Sequence, residues 1–210
     1  MILHGYFRSG TSYRTRIALN LKGIAYEQRG IDLRQGLQKS EAFLALNPQG
    51  LVPALEANGQ MLTQSPAILE WLEETHPSPP LLPSDPGDRA QVRAMAALIG
   101  CDIHPLNNLR VLGAVRAMGA DQAGVDAWAG RWISDGLRAL EALVARHGDG
   151  WCWGDAPSLA DCYLIPQIYS ARRFNVDLTP FPRLLAIDAR ATGDPAFAAA
   201  HPDNQPDSDA

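Results

Sequence analysis

The residues best suited to chemistry lie in the turn Arg8-Ser9-Gly10-Thr11-Ser12, between an apolar strand and an amphipathic helix. Small hydroxylated residues there leave backbone N–H groups free at the positive end of a helix, where a thiolate or carboxylate gains hydrogen bonds and a favourable dipole. Ser9 can donate to a sulfur anion; read alone, the turn equally describes a helix cap. Gln64-Ser65 opens a second helix and can take a carboxylate by the same physics. Val52-Pro53 opens a strand. A cis bond there would free the Val52 backbone to pair with an extended ligand, and an ordinary trans strand-start proline is the alternative. His104, Asn108 and Arg110 stand in an unusually polar helical stretch, where the spacing of four predicts that His104 and Asn108 share one face. Arg172 and Arg173 end a later helix. The sequence contains no metal-ligand cluster, Walker loop, GxGxxG or Ser/His/Asp set, so no metal is expected.

These residues need elements to position them. Strand signals cover Met1–Tyr6, Tyr26–Leu33, Val52–Ala57 and Gln60–Leu62, the last two flanking Asn58-Gly59, a hairpin turn. Helical signals cover Thr11–Lys22, Ser40–Leu46 and a segment to about Thr75, with Ser65 as N-cap and Pro66 in first helical position. In the first helix Ile17, Ala18 and Leu21 form the apolar set, and Arg14 and Arg16 fall elsewhere on the turn. A right-handed crossover makes the first two strands parallel, and the hairpin adds an antiparallel pair. The expectation is a small four-stranded mixed sheet with helices on it. The proline-rich run Pro77–Pro86 then interrupts all regular structure. Beyond it only helical periodicity remains: Asp88 to about Val115, Ala123–Arg146, Leu159 to about Phe174 and Phe181–Ala191. The expected organisation is an α/β domain over 1–82, a linker over 83–87 and an all-α domain over 88–210. Ser158-Leu159-Ala160-Asp161 reads as a capping box, Trp151 and Trp153 as core, and the polar stretch His201–Ala210 as a frayed end.

The 210 residues carry a formal charge of −5, with 46% hydrophobic and 20% charged residues, an ordinary globular balance that disfavours nucleic acid or an anionic membrane surface as partner. Lys22 and Lys39 are the only lysines, so an anion site here would use arginine forks. No apolar run is long enough to span a bilayer, and the N-terminus reads as a strand rather than a signal peptide. Cys101, Cys152 and Cys162 form neither a disulfide framework nor a zinc motif, which suits a reducing cytoplasm.

The segments Arg8–Arg14, Asn47-Pro48-Gln49-Gly50-Leu51-Val52-Pro53-Ala54-Leu55 and Leu62-Thr63-Gln64-Ser65-Pro66-Ala67-Ile68 resemble the zeta class of cytosolic glutathione transferases, and the resemblance covers essentially the whole chain. Gly100–Pro105, Asn107-Asn108 and Ser170–Phe174 are similar to the branch that isomerises maleylpyruvate in gentisate degradation. The resemblance implies a thioredoxin-like N-terminal domain, an all-helical C-terminal domain, a homodimer and glutathione as cofactor. It implies a cis–trans isomerisation of maleylpyruvate to fumarylpyruvate in which the glutathione thiolate is the nucleophile. Maleylacetoacetate isomerisation, a broader glutathione transferase or peroxidase, and a non-catalytic binding protein are the alternatives. By the same resemblance Ser9 stabilises the thiolate, with Gly10 and Thr11 contributing backbone. Val52, before a cis Pro53, pairs with the cysteinyl backbone. Gln64 and Ser65 hold the γ-glutamyl carboxylate, and Gln49, His104 and Asn108 complete the glutathione site. Arg8, Arg110 and Arg173 bind the substrate carboxylates, and Arg8 also acts in catalysis. Two departures stand out. Ser9-Gly10-Thr11 replaces the Ser-Ser-Cys of many members, which removes a catalytic cysteine, and Gln38 stands near where a histidine is expected.

Overall fold

The computed structural model describes residues 1–209, which divide into two compact units. The first comprises Met1–Leu81 together with the chain from Thr192 onward, and the second spans Leu82–Ala191.

The first unit is built on four strands: β1 (Ile2–Gly5), β2 (Glu27–Gly30), β3 (Ala54–Ala57) and β4 (Gln60–Thr63), in the order β2-β1-β3-β4. β1 and β2 are parallel, joined through α1 (Gly10–Leu21); β3 runs antiparallel to both β1 and β4. After β2, α2 (Glu41–Leu46) precedes β3, and α3 (Ser65–Thr75) follows β4. Tyr6, Phe7, Phe43, Val52 and Ala54 form one apolar cluster, with Ile31, Leu33 and Met61 packed against it. Three strands are shorter than expected, β1 by one residue at each end. β2 stops at Gly30 because Asp32 turns the chain: its Oδ1 accepts from Arg34 N at 2.8 Å. β3 starts only after Pro53, which has no N–H to give a ladder.

Arg14 and Arg16, which fall outside the apolar set of α1, are buried as well, at 2% and 0% exposed. Arg16 is tolerated there because its guanidinium supplies donors to backbone carbonyls: Nη2 to Phe7 O at 2.8 Å and Nε to Ala200 O at 3.0 Å. Ser65 is not the cap of α3 but its first residue; Gln64 is the cap, at φ 66°. The stretch expected to fray is ordered over the described residues 201–209, and Ala210 lies outside them. α9 (Pro195–Ala200) packs on α1, Pro202 and Gln205 are buried, and Gln205 Nε2 donates to Ala199 O and His201 O. The segment from Thr192 therefore packs with the α/β unit rather than with the helices that precede it. The proline-rich run is anchored as well. Lys22 Nζ donates to Glu73 Oε2 at 2.7 Å, His76 O at 2.7 Å and Pro79 O at 3.0 Å, and Glu73 Oε2 also accepts from Leu81 N at 3.0 Å.

The second unit is all-helical, with α4 (Pro86–Ala97), α5 (Leu109–Ala117), α6 (Gln122–His147), α7 (Leu159–Arg173) and α8 (Pro182–Thr192), whose last residue already belongs to the first unit. The single helix expected from Asp88 to Val115 is broken. After α4 the chain passes through a π-wound stretch, Leu98–Ile103, and a 3-10 turn, His104–Asn107, before α5. Pro105 lacks the N–H an α-helix would use, and Asn108 restarts the helix as a cap. Gly136 on α6 makes room for this break: a Cβ there would lie 2.3 Å from Ile103 Cδ1. The capping box at α7 is present, and Asp161, fully buried, accepts from Cys152 N, Ser158 N and Ser158 Oγ. Trp151 is core; Trp153 is only partly covered and stacks on His147 at 4.7 Å.

Candidate active site

The strand registers bring three segments to one end of the sheet. His4 pairs with Ala54, and Ala54 with Thr63. Because β3 is antiparallel to both neighbours, the end of β1, the start of β3 and the end of β4 coincide. Gln64-Ser65 directly follows β4, Val52-Pro53 directly precedes β3, and Arg8–Ser12 follows β1 after Tyr6-Phe7. Two helix N-termini, those of α1 and α3, open at the same end, which makes it favourable to anions.

At the first of these, Ser9 caps α1, its Oγ accepting from Ser12 N at 3.3 Å. Thr11 Oγ1 donates to Val52 O at 2.9 Å, and Ser9 Oγ and Thr11 Oγ1 lie 2.8 Å apart. A threonine hydroxyl has one proton, and here it goes to Val52 O, so the proton between the two hydroxyls comes from Ser9. Rotation about its Cβ–Oγ bond frees Ser9 to donate to an incoming anion without moving the backbone. Thr11 therefore contributes a side-chain hydroxyl that ties the turn to the strand start, a role beyond the backbone contribution expected of it.

The Val52–Pro53 bond is cis. Gln64 adopts a backbone rarely populated by non-glycine residues, φ 66° and ψ 109°, and its Nε2 donates to Gln49 Oε1. Ser65 is buried in the first turn of α3. Gln38 is only partly exposed. Arg8 is partly exposed, with its guanidinium 5.6 Å from the centre of the Phe7 ring. Near it, Arg34 lies over the Tyr6 and Phe7 rings at 5.8 and 5.9 Å and is held by Asp32, whose carboxyl the Arg34 guanidinium lowers to about 2. Burial, partly offset by Arg8 and Arg34, raises the Tyr6 hydroxyl above its ordinary value.

The remaining candidates belong to the helical unit. His104 opens the 3-10 turn, whereas Asn108 is extended, φ −72° and ψ 148°, so the two do not share a helix face. Asn108 Oδ1 accepts from Arg110 N at 3.2 Å, capping α5, and Arg110 is exposed in its first turn. Arg173 is exposed at the end of α7. Arg16 went unrecognised in the sequence, where nothing distinguishes an arginine that serves two buried carbonyls from a solvated one. No group of three or more His, Cys, Asp or Glu suited to a metal occurs among the described residues, and no helix there is long and apolar enough to cross a membrane.

Residues 8–75 match the family model of the glutathione S-transferase N-terminal domain. The chain is 55% identical to a maleylpyruvate isomerase of Ralstonia, over 99% of this chain and 100% of that one. It is 52% identical to a maleylacetoacetate isomerase of Pseudomonas aeruginosa, over the whole of both. Among solved structures, the holo form of a zeta-class maleylpyruvate isomerase superposes with a TM-score of 0.97 at 55% identity, covering 99% of this chain and 100% of that one. A maleylacetoacetate isomerase of Anaeromyxobacter dehalogenans, with glutathione in its active site, superposes at 0.90 with 45% identity, covering 99% and 97%. Fold, motifs and full-length identity agree: the chain belongs to the zeta class of the glutathione transferase family.

Proposed function

We propose that the chain is a glutathione-dependent cis–trans isomerase that converts maleylpyruvate to fumarylpyruvate. The observation that carries this reading is the convergence of Ser9, Val52-Pro53 and Gln64-Ser65 at one sheet end. Such an end suits a short extended peptide with an anionic sulfur and a carboxylate. Two helix N-termini face anions, a strand start lies between them, and the Gln49–Gln64 side-chain pair sits beside the second terminus.

Bound glutathione supplies the thiolate that adds to the substrate double bond and later leaves it, so that the bond rotates in between. Ser9, with its hydroxyl turned from Thr11, donates to the sulfur and keeps it ionised, helped by the N–H groups of Gly10 and Thr11 and the α1 dipole. Val52, beside Pro53, pairs with the cysteinyl backbone. Gln64 and Ser65 hold the γ-glutamyl carboxylate, and Gln49, His104 and Asn108 complete the cofactor contacts. Arg8, Arg110 and Arg173 take the substrate carboxylates through guanidinium forks. Arg8 also meets the negative charge that develops on a substrate oxygen. We read the protein as a cytoplasmic homodimer; three free cysteines, two of them buried, suit a reducing compartment.

The full-length Pseudomonas relative supports maleylacetoacetate as a second substrate. A spectrophotometric assay of both maleyl acids, with and without glutathione, tests the reading. Turnover that requires glutathione and favours maleylpyruvate is expected. Equal turnover without glutathione would sink the mechanism, and preference for maleylacetoacetate would reassign the substrate. Sedimentation should give twice the 22.7 kDa chain mass.

A further inference from the structure

The C-terminal segment reaches the turn that carries Arg8. β1 ends its ladder at Gly5, whose carbonyl accepts from Ile31 N, and Phe7 lies beyond the reach of β2. The acceptor for Phe7 N–H comes instead from Asp207, whose Oδ2 lies 2.9 Å away, while its Oδ1 accepts from Gln28 Nε2 at 2.7 Å. Phe7 O is held from the other side by Arg16 Nη2, and Arg16 also grips Ala200 O at the end of α9. Both backbone polar groups of Phe7 are thus tied to the C-terminal segment, one directly and one through Arg16. The ring is engaged too: Asp209 pairs with Arg34, which lies over the Phe7 ring, and Arg8 lies over the same ring. Space is cut to fit this contact, because a Cβ at Gly30 would come within 3.0 Å of Asp207 Cβ.

The Phe7 N–H held by Asp207 belongs to the Tyr6–Phe7 peptide and the Phe7 carbonyl held by Arg16 to the Phe7–Arg8 peptide, so the two contacts together set the Phe7 dihedrals and with them where the Arg8 side chain leaves the backbone. We propose that Asp207 is a positioning residue for Arg8: by accepting from Phe7 N–H, it fixes the direction in which that guanidinium is presented to the substrate. The proposal rests on the reading of Arg8 as a substrate-binding residue. The glutathione contacts assigned to Gln64, Ser65 and Val52 lie on segments that Asp207 does not touch, whereas Ser9 shares the turn with Arg8 and its N–H donates to Tyr6 O at 3.0 Å.

The test uses the full-length protein with Asp207→Ala, Asp207→Asn, Gly30→Ala and Arg8→Ala. Because a misplacement of about 1 Å can cost up to about a hundredfold in rate, Asp207→Ala is expected to lower kcat/KM for the maleyl acid about tenfold or more. Glutathione affinity by calorimetry falls much less than kcat/KM, because most cofactor contacts lie on other segments, and the Phe7 amide exchanges faster with deuterium. Asp207→Asn, which keeps one acceptor oxygen, restores most of the rate. Gly30→Ala, which crowds Asp207 without touching Arg8, reproduces the split more weakly and serves if Asp207→Ala does not fold. A variant that melts earlier but keeps its isomerisation kinetics would overturn the proposal, as would loss of glutathione affinity in step with kcat/KM. If Arg8→Ala loses activity while Asp207→Ala and Gly30→Ala do not, the positioning role alone fails. If Arg8→Ala changes nothing, the reading of Arg8 fails and takes the proposal with it.

Discussion

Replacing Ser9 by alanine separates its structural work from its chemical work. Structurally, Ser9 accepts one hydrogen bond from Ser12 N, at a long 3.3 Å, and shares a proton with Thr11. Loss of a serine cap costs about 0.5–2 kcal/mol, and the long contact puts this one at the low end. For a chain of this size about 1 kcal/mol moves Tm by about 2–4 °C. Chemically, the proposed bond to a thiolate is charge-assisted, and such bonds contribute about 1.5–3 kcal/mol. At 1.36 kcal/mol per unit, the bound thiol pKa should rise by about one to two units. The isomerisation rate should then fall about 10- to 100-fold near neutral pH, and the deficit should shrink as pH passes the new pKa. A pH–rate profile from about pH 6 to about pH 10, with ultraviolet titration of the bound thiolate, reads this directly. Ser9→Ala with an unshifted thiolate titration would refute the argument, and so would a loss of rate equal at every pH.

Lys22→Met should destabilise the first unit by about 3–5 kcal/mol in urea unfolding, because it strands the buried Glu73 carboxylate; adding Glu73→Gln should recover part of the loss. Burial, followed by the Arg29 charge, lowers the His4 pKa below its ordinary value of 6.5, so the unfolded chain takes up that proton first. The stability that His4 contributes is therefore complete above 6.5 and is lost as pH falls below it; His4→Leu should flatten that part of the stability–pH curve. Gly136→Ala should cost about 1–3 kcal/mol by driving a methyl into Ile103, and Ile103→Val should relieve it in thermal denaturation.

Much of this was legible before any coordinates. Alternating apolar residues, Asn58-Gly59 and the run Pro77–Pro86 are local signals, and local signals determine strands, the hairpin and the end of the sheet domain. Ser9 and the Ser158–Asp161 box are likewise local, since a cap speaks only to the next turn of its own helix. The polar stretch 101–110 departs from its helical spacing where a proline and a facing glycine combine. Helical spacing alone put His104 and Asn108 on one face, but Pro105 broke the helix, and Gly136 on α6 made room for Ile103.

What tertiary structure alone decided is the partner of each group whose contact lies far away in the chain. Arg16 has the composition of a surface residue, yet it is buried where the carbonyls of Phe7 and of Ala200, the last residue of α9, need donors. The tail from His201 has the composition of a frayed end, yet Asp207 is bound by Phe7 N–H and Gln28. Composition reports the average cost of burying a side chain, whereas the actual cost depends on which unpaired group waits for it across the fold. The sequence by itself determined the four strands, the Ser9 cap of α1 and the Ser158–Asp161 capping box. Strand register alone brought the Arg8–Ser12 turn to the same end as Val52-Pro53 and Gln64-Ser65, because only pairing relates strand ends distant in sequence.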